Sequence, residues 1–329
     1  MKGEERKVKK INTQKLLAPA ALIILYVFFA ITGRNFFGMD GLKQILQSCY
    51  YIGYMAFGVT FVIITGGIDL SLGSNMLCSA LLGGVAYKMW GWNLIPALIL
   101  VLVSGTFFGL CNGVMIAKLR LPPFIATLGT QRITLGFGAI VSKVQTMYYP
   151  TVGSEDEWFR SVFYIDGKFP TGVFWLLGAF IVSWFLLNKT RFGRYAFAIG
   201  SNEEATRLSG VKVDRWKIAV YAVCGLFTAM AGIFYGAAYT TIMPGKGNGE
   251  EMNGIAAVVV GGTSMAGGSG SMLGTLLGVL IMATLSKGLA SVGLQAHWQT
   301  FFTGFVVIGA VLLDIARSNV AMKAAKKAV

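Results

Sequence analysis

The sequence predicts an all-α polytopic membrane protein of about ten transmembrane helices, some of them broken, with its N- and C-termini cytoplasmic. Three observations carry this expectation. Of 329 residues, 55% are hydrophobic, 13% are charged and 43 are Gly, whereas a soluble domain carries about 25% charge. Apolar runs near the roughly 20 residues that cross a bilayer recur along the whole chain. Basic residues gather on alternate connections: six Lys or Arg in residues 1–15, Lys118 and Arg120, seven in 189–217 and four after Ile315. With a cytoplasmic N-terminus, 19 of the 28 share one face, eight lie on the other and Arg132 falls within a span. That asymmetry is what orients membrane helices, and two basic termini on one face require an even number of crossings. Topology also accounts for the formal charge of +14, so the bilayer is the expected partner and nucleic acid is not.

Taken in order, residues 1–15 form a basic cytoplasmic N-terminus and 16–315 a single transmembrane domain. The first span, 16–33, succeeds its basic head as a signal peptide would. Further spans come after it and no convincing small-residue cleavage site stands behind it, so it is expected to be retained. Spans at 45–65 and 70–88 flank the glycine-rich TGGIDLSLG at 65–73. The next are at 94–117 and 123–141, then an outer loop, 142–170, with acids Glu155, Asp156, Glu157 and Asp166. Its aromatics, Tyr148, Tyr149, Trp158, Phe159, Phe163 and Tyr164, suit an interfacial belt or contact with a sugar or a binding protein. A span at 171–188 leads into a charged cytoplasmic loop, 189–217. Within it, Asn202 or Ser201 can cap a short helix through Glu203, Glu204, Ala205, Thr206, Arg207 and Leu208, ended by Gly210. It is either a docking element or a solvated connection that enforces topology. Spans at 218–238, 254–268, 272–287 and 299–315 complete the domain, and 316–329 form a basic cytoplasmic tail.

Broken helices at membrane depth are tolerated where they are buried in protein or line a wet cavity. The breaks at 65–73 and at VGGTSMAGGSGS, 260–271, therefore supply candidate pathway residues: Gly66, Gly67, Asp69, Ser71 and Asn75, with Gly261, Gly262, Thr263 and Ser264. Arg132 joins them. Asp69 and Arg132 are costly charges at depth unless paired or wet. Asp69 can cap the helix starting near Leu70 and Arg132 can bond neighbouring carbonyls, or either can meet a substrate. A shift of 195 residues aligns Gly66, Gly67, Gly73 and Ser74 with Gly261, Gly262, Gly268 and Ser269, and Leu81, Leu82 and Gly83 with Leu276, Leu277 and Gly278. An internal repeat would produce this match, and so would abundant glycine.

No GxxxxGK[ST] phosphate loop is present. Cys49, Cys78, Cys111 and Cys224 all lie in apolar runs without a CxxC pair, which reads as packing and not as a disulfide or metal framework. His297, the only histidine, stands in an expected outer loop. Neither a catalytic triad nor a metal-ligand set can be assembled, so no metal, no cofactor and no catalytic residue is expected of this chain.

TGGIDLSLG at 65–73, PFIATLGT at 123–130, TRFGRYAFAIGSNEEATRLSGVKV at 190–213 and IAAVVVGGTSMAGGSGSMLGTLLG at 255–278 together resemble the permease subunit of bacterial ABC importers for simple sugars, the ribose and galactose type. The likeness runs from about Asn35 to Asp314. It implies a bacterial plasma-membrane permease, paired with itself or a paralogue, and a cytoplasmic ABC ATPase that uses ATP and Mg. It also implies an extracytoplasmic sugar-binding protein. By the same likeness, the segment around Asn202 to Gly210 corresponds to the coupling helix seated in the ATPase. Two positions depart from the pattern: Asn253 stands where an acid is usual, and Arg132 precedes by three residues, at Leu135, the usual arginine. Both bear on which sugar is carried, and by the same likeness Asn253 is a candidate pathway residue. A proton-coupled carrier or channel is the alternative reading, with Asp69 its only deep acid. A membrane enzyme would need a catalytic grouping that is missing.

Overall fold

The computed structural model describes residues 17–167 and 169–327; the basic segment 1–15 and residues 328–329 lie outside them. Thirteen helices and a two-strand ladder succeed one another as α1 (Leu17–Thr32), α2 (Met39–Ile64), α3 (Leu72–Lys88), α4 (Leu94–Ala117), α5 (Pro123–Val141), β1 (Met147–Tyr148), α6 (Trp158–Phe163), α7 (Gly172–Lys189), α8 (Arg191–Ser201), α9 (Glu203–Leu208), α10 (Val213–Tyr239), β2 (Thr241–Ile242), α11 (Glu251–Val260), α12 (Met272–Ser291) and α13 (Ala296–Lys327) among the described residues. Six of these, α2, α4, α5, α7, α10 and α12, are long and apolar enough to cross a membrane. Each expected span overlaps a helix, and two depart most: the helix over 299–315 runs on to Lys327, through the expected tail, and the one over 254–268 is cut short. There the helix stops at Val260, because Gly262, Gly267 and Gly268 take φ of +90°, +85° and +72°, backbone that side chains with a Cβ rarely adopt. Residues 213–217, expected in the cytoplasmic loop, are the first turn of α10.

The bundle is built around α2, whose residues from Cys49 to Ile64 are all buried. It packs on α10, α12, α7 and α11. Over that stretch α2 is surrounded by protein, whereas α4 and α7 keep large apolar side chains such as Ile95, Ile99, Phe174 and Ile181 exposed on one side. Small residues permit the closest crossing. A Cβ at Gly225 of α10 would strike the backbone of Gly105 and Gly109 on α4, the kind of close approach that holds helices together where the solvent is apolar.

At one end of the bundle β1 pairs antiparallel with β2, Met147 opposite Ile242 and Tyr148 opposite Thr241. The aromatics of 142–170 divide there. Tyr149 is buried, donates from its hydroxyl to the Ala80 carbonyl at 2.8 Å, and stacks on the fully buried Phe159. These two rings plug the bundle end and serve neither a belt nor a docking surface, while Tyr148 and Trp158 stay exposed. At the opposite end Ile64, the α8–α9 segment and the glycine-rich turn 261–271 meet: the Gly268 amide donates to the Ile64 carbonyl at 2.9 Å.

The 195-residue shift matches the structure only in part: Gly66, at φ +76°, falls on Gly261, at φ −66°, while Leu81, Leu82 and Gly83 of α3 fall on Leu276, Leu277 and Gly278 of α12. Gly73 lies within α3, whereas its counterpart Gly268 is in left-handed loop backbone.

Candidate functional site

The segment after α7 folds back on the bundle through a tight corner. Gly193 sits so close to Leu187 that a Cβ would overlap its backbone. Thr190 caps α8 by accepting the Phe192 amide at 3.1 Å. The helix is amphipathic: Gly193, Ala196 and Ile199 are buried, and Tyr195 packs on Trp216 of α10. Asn202 then caps α9, its Oδ1 accepting the Ala205 amide at 2.9 Å, with Glu203 and Glu204 in the first turn beside the helix's positive end. Ser201 is the last residue of α8 and has no part in the cap. Gly210, at φ +83°, lets the chain leave α9.

Charges on α9 tie it to α10. Lys217 Nζ lies 2.5 Å from Glu203, and Arg207 reaches Asp214 at 2.8 Å and Glu203 at 3.3 Å. Burial alone would raise the Glu203 pKa, but the hydrogen bonds and charges of Lys217 and Arg207 outweigh it and hold the carboxyl below its ordinary value. Thr206 is buried, while Glu204, Ala205 and Leu208 point away from the bundle, Leu208 at 83% exposure. Sequence singles out Arg207 as a coupling candidate and not Leu208. In the structure the arginine is engaged within the chain and the leucine is exposed.

Behind α9 the two breaks meet. A Cβ at Gly200 would strike the Ile64 carbonyl and the Gly268 amide, and one at Gly267 would lie 2.9 Å from the Gly66 amide and 3.0 Å from the Gly200 oxygen. Gly66 itself has φ +76°. Gly67 is pressed by the Tyr221 hydroxyl, which donates to the Ile68 carbonyl at 3.1 Å. Gly261 abuts Gly274 at the crossing of α11 and α12. Gly262 turns the chain, Ser264 closes the loop through its amide bond to the Ser269 carbonyl at 3.1 Å, and Thr263 is fully buried. The structure thus joins Gly66, Gly67, Gly261, Gly262, Thr263 and Ser264 in one region. Gly200, Gly267 and Gly268, which are not among the candidate pathway residues read from sequence, are its centre.

Asp69, Ser71 and Asn75 belong to a second, buried assembly. Asp69 accepts the Ser71 amide at 2.9 Å and its hydroxyl at 2.6 Å, an Asx turn leading into α3. Asn112 of α4 donates to Ser71 Oγ at 2.9 Å and accepts from Thr130 of α5 at 2.5 Å. The Thr134 and Ser74 hydroxyls stand 2.8 Å apart, Asn75 donates to the Gly105 carbonyl at 3.1 Å, and Gln131 donates to Glu251 of α11 at 2.9 Å. Asn112, Thr130, Gln131, Thr134 and Glu251 were missed from sequence. Thr127, Thr130, Gln131 and Thr134 recur at helical spacing, so a polar stripe on α5 was a signal available for them.

Two candidates stand apart. Arg132 lies at the midpoint of α5 on its exposed side, with Ile125, Ile133 and Phe137, and makes no hydrogen bond or ion pair among the described residues. The bonds to neighbouring carbonyls expected of it are absent among the described residues, since its side of the helix is exposed. Asn253, in the first turn of α11, donates to Glu250 at 2.9 Å and lines a cavity toward the β1–β2 end. Among the described residues no three His, Cys, Asp or Glu side chains gather as a metal site would require.

Among known proteins, residues 41–311 match the family described as branched-chain amino acid transport system / permease component. The chain is 40% identical to the ribose import permease protein of Escherichia coli (strain K12), over 89% of its own length and 91% of the relative's. It is 37% identical to the ribose import permease protein of Bacillus subtilis (strain 168), over 97% and 98%, and 34% identical to the fructose import permease protein of Rhizobium meliloti, over 89% and 82%. No solved structure matches the chain.

Proposed function

This chain belongs to the family of permease components of branched-chain amino acid transport systems, and from that premise we propose that it is the transmembrane subunit of an ATP-driven importer for a simple sugar of the bacterial inner membrane. The sugar assignment rests on the relatives, which are ribose and fructose permeases. The observation that carries the mechanism is the seat of α8–α9 on the two glycine breaks. A helix tip exposing Glu204 and Leu208 is backed by glycine contacts between main chains at Ile64, Gly200 and Gly267. Force applied to α9 by an ATPase meets backbone with no flexible side chain between, so it reaches α2 and the α11–α12 turn directly.

The remaining parts of the reading come from the same arrangement. Six helices meet the length of a span, and α1, α3, α11 and α13 complete ten crossings, with 189–217 and both termini cytoplasmic. An arginine facing lipid at mid-depth costs about 2.5–3.5 kcal/mol even on insertion scales. A second permease copy covers the Arg132 side of α5 and gives that charge a wet seam. The partners are then a cytoplasmic ABC ATPase using ATP and Mg, an extracytoplasmic sugar-binding protein and a second permease. Asp69 is already satisfied by Ser71, an arrangement that favours a fixed turn and not a proton relay.

Proteoliposomes test the assignment. The purified chain alone is expected neither to accumulate sugar under a proton gradient nor to hydrolyse ATP, and adding the ATPase and the binding protein restores both activities. Proton-driven accumulation by this chain alone, lost in Asp69→Asn, would replace the importer reading with a secondary carrier.

A further inference from the structure

Toward the β1–β2 end, α2, the start of α11, α12 and the start of α13 enclose a cavity of about 550 Å³, within the range of about 300–1,000 Å³ typical of small-molecule sites. Its lining has two characters. Met252, Met282, Leu285 and Ile308 supply apolar surface, and polar groups reach it from the start of α11 and from α12 and α13. On one wall Asn253 donates to a single oxygen of Glu250 at 2.9 Å. That leaves the amide oxygen and the second carboxylate oxygen as acceptors. On the other wall the Ser286 hydroxyl donates to Gln299 Oε1 at 3.1 Å, so the Gln299 amide group keeps its donors. One wall accepts and the other donates, as a ligand with several adjacent hydroxyls requires.

Charge narrows the ligand further. Among the described residues no lysine or arginine lines this cavity and a single carboxylate does, so it is poorly suited to phosphates, carboxylates or anionic lipid headgroups. A sugar ring, with C–H faces and hydroxyl edges, suits a half-apolar wall carrying paired acceptors and donors. Ser286 and Gln299 also line a second cavity of about 310 Å³, beside Gln44, Gln47 and Tyr239. The two cavities thus share Ser286 and Gln299 as common lining.

We propose that this cavity is a transient subsite at which the permease itself holds a neutral monosaccharide, through Glu250 and Asn253 on one wall and Ser286 and Gln299 on the other. The subsite rests on the transport reading above. It is a waypoint of low affinity, and the Ser286–Gln299 bond opens as sugar passes between the two cavities.

The test uses the assembled transporter, with its ATPase and binding protein, in proteoliposomes, and radiolabelled D-ribose, D-fructose and D-xylose as probes. Wild type is expected to take up at least one of them. For that sugar the double variant Asn253→Leu, Gln299→Leu should lower maximal uptake at least tenfold with saturating binding protein, while ATPase activity stimulated by the loaded binding protein stays within twofold. Asn253→Asp should retain uptake. Uptake within twofold of wild type in the double variant would overturn the subsite. Parallel loss of uptake and ATPase stimulation would also overturn it, as the mark of a structural role. So would a phospholipid that native mass spectrometry finds retained by wild type and lost from the variant. Failure of wild type to take up any of the three sugars would instead defeat the transport reading itself.

Discussion

Removing the carboxamide of Asn112 leaves two neighbours stranded, because Ser71 loses its donor and Thr130 its acceptor inside a fully buried contact. Asn112→Ala is therefore expected to cost about 1–3 kcal/mol, seen as a lower melting temperature in detergent. Glycine positions divide by what lies opposite. At Gly200 an added methyl meets main chain that cannot rotate away, whereas at Gly178 on α7 it meets nothing. Gly200→Ala should reduce uptake severely and lower the melting temperature; Gly178→Ala should raise stability by up to about 1 kcal/mol, from helix propensity alone. Equal behaviour of the two in the same assays would show that the Gly200 contact is slack. Sequence could mark Gly66 and Gly262, since paired glycines interrupt an apolar run. It could not mark Gly200 or Asn112, whose importance arises from segments distant in the chain.

Helix α9 was the most legible element, because cap, acids, exit glycine and helix length are all local, whereas α8 before it was read as loop. What its charges do was not local. Arg207 and Lys217 serve the α9–α10 joint, leaving Leu208 and Glu204 as the exposed tip. Leu208→Asp should lower substrate-stimulated ATPase activity of the assembled transporter several-fold with normal membrane insertion, and Glu204→Arg should act in the same direction. Unaltered stimulation in both removes the tip from coupling. The joint also has a pH signature. The Glu203 pKa is lowered on folding, so its contribution is present above the ordinary glutamate value of about 4.5 and is lost as pH falls through the lower folded value. Protease cleavage within residues 202–212 should rise over that acid window in wild type and change less with pH in Glu203→Gln.

For the whole molecule, composition and the spacing of apolar runs were enough to lay each expected span over a helix but not to find α6 or α8, since a bilayer imposes element length more strictly than water does. Sequence alone left open which helix faces were exposed, and the consequence is clearest at α5, where a buried polar stripe and an exposed Arg132 lie on opposite sides of one helix. Cysteine at Ile133, beside Arg132, should crosslink two permease copies in membranes, and cysteine at Ile181 on α7 should not; the reverse pattern would move the pairing surface off α5. The aromatics of 142–170 show the same boundary of inference, two plugging the bundle and others exposed, with nothing in their spacing to separate them. The junction of Ile64, Gly200 and Gly268 bears on synthesis as well. Its three strands of main chain leave the ribosome far apart in time, and none can be seated until the turn after α11 has emerged. A nascent chain halted before that turn would present an unfinished α8–α9 platform, so ATPase recruitment is expected to wait for the last third of translation and to discriminate against truncated permeases.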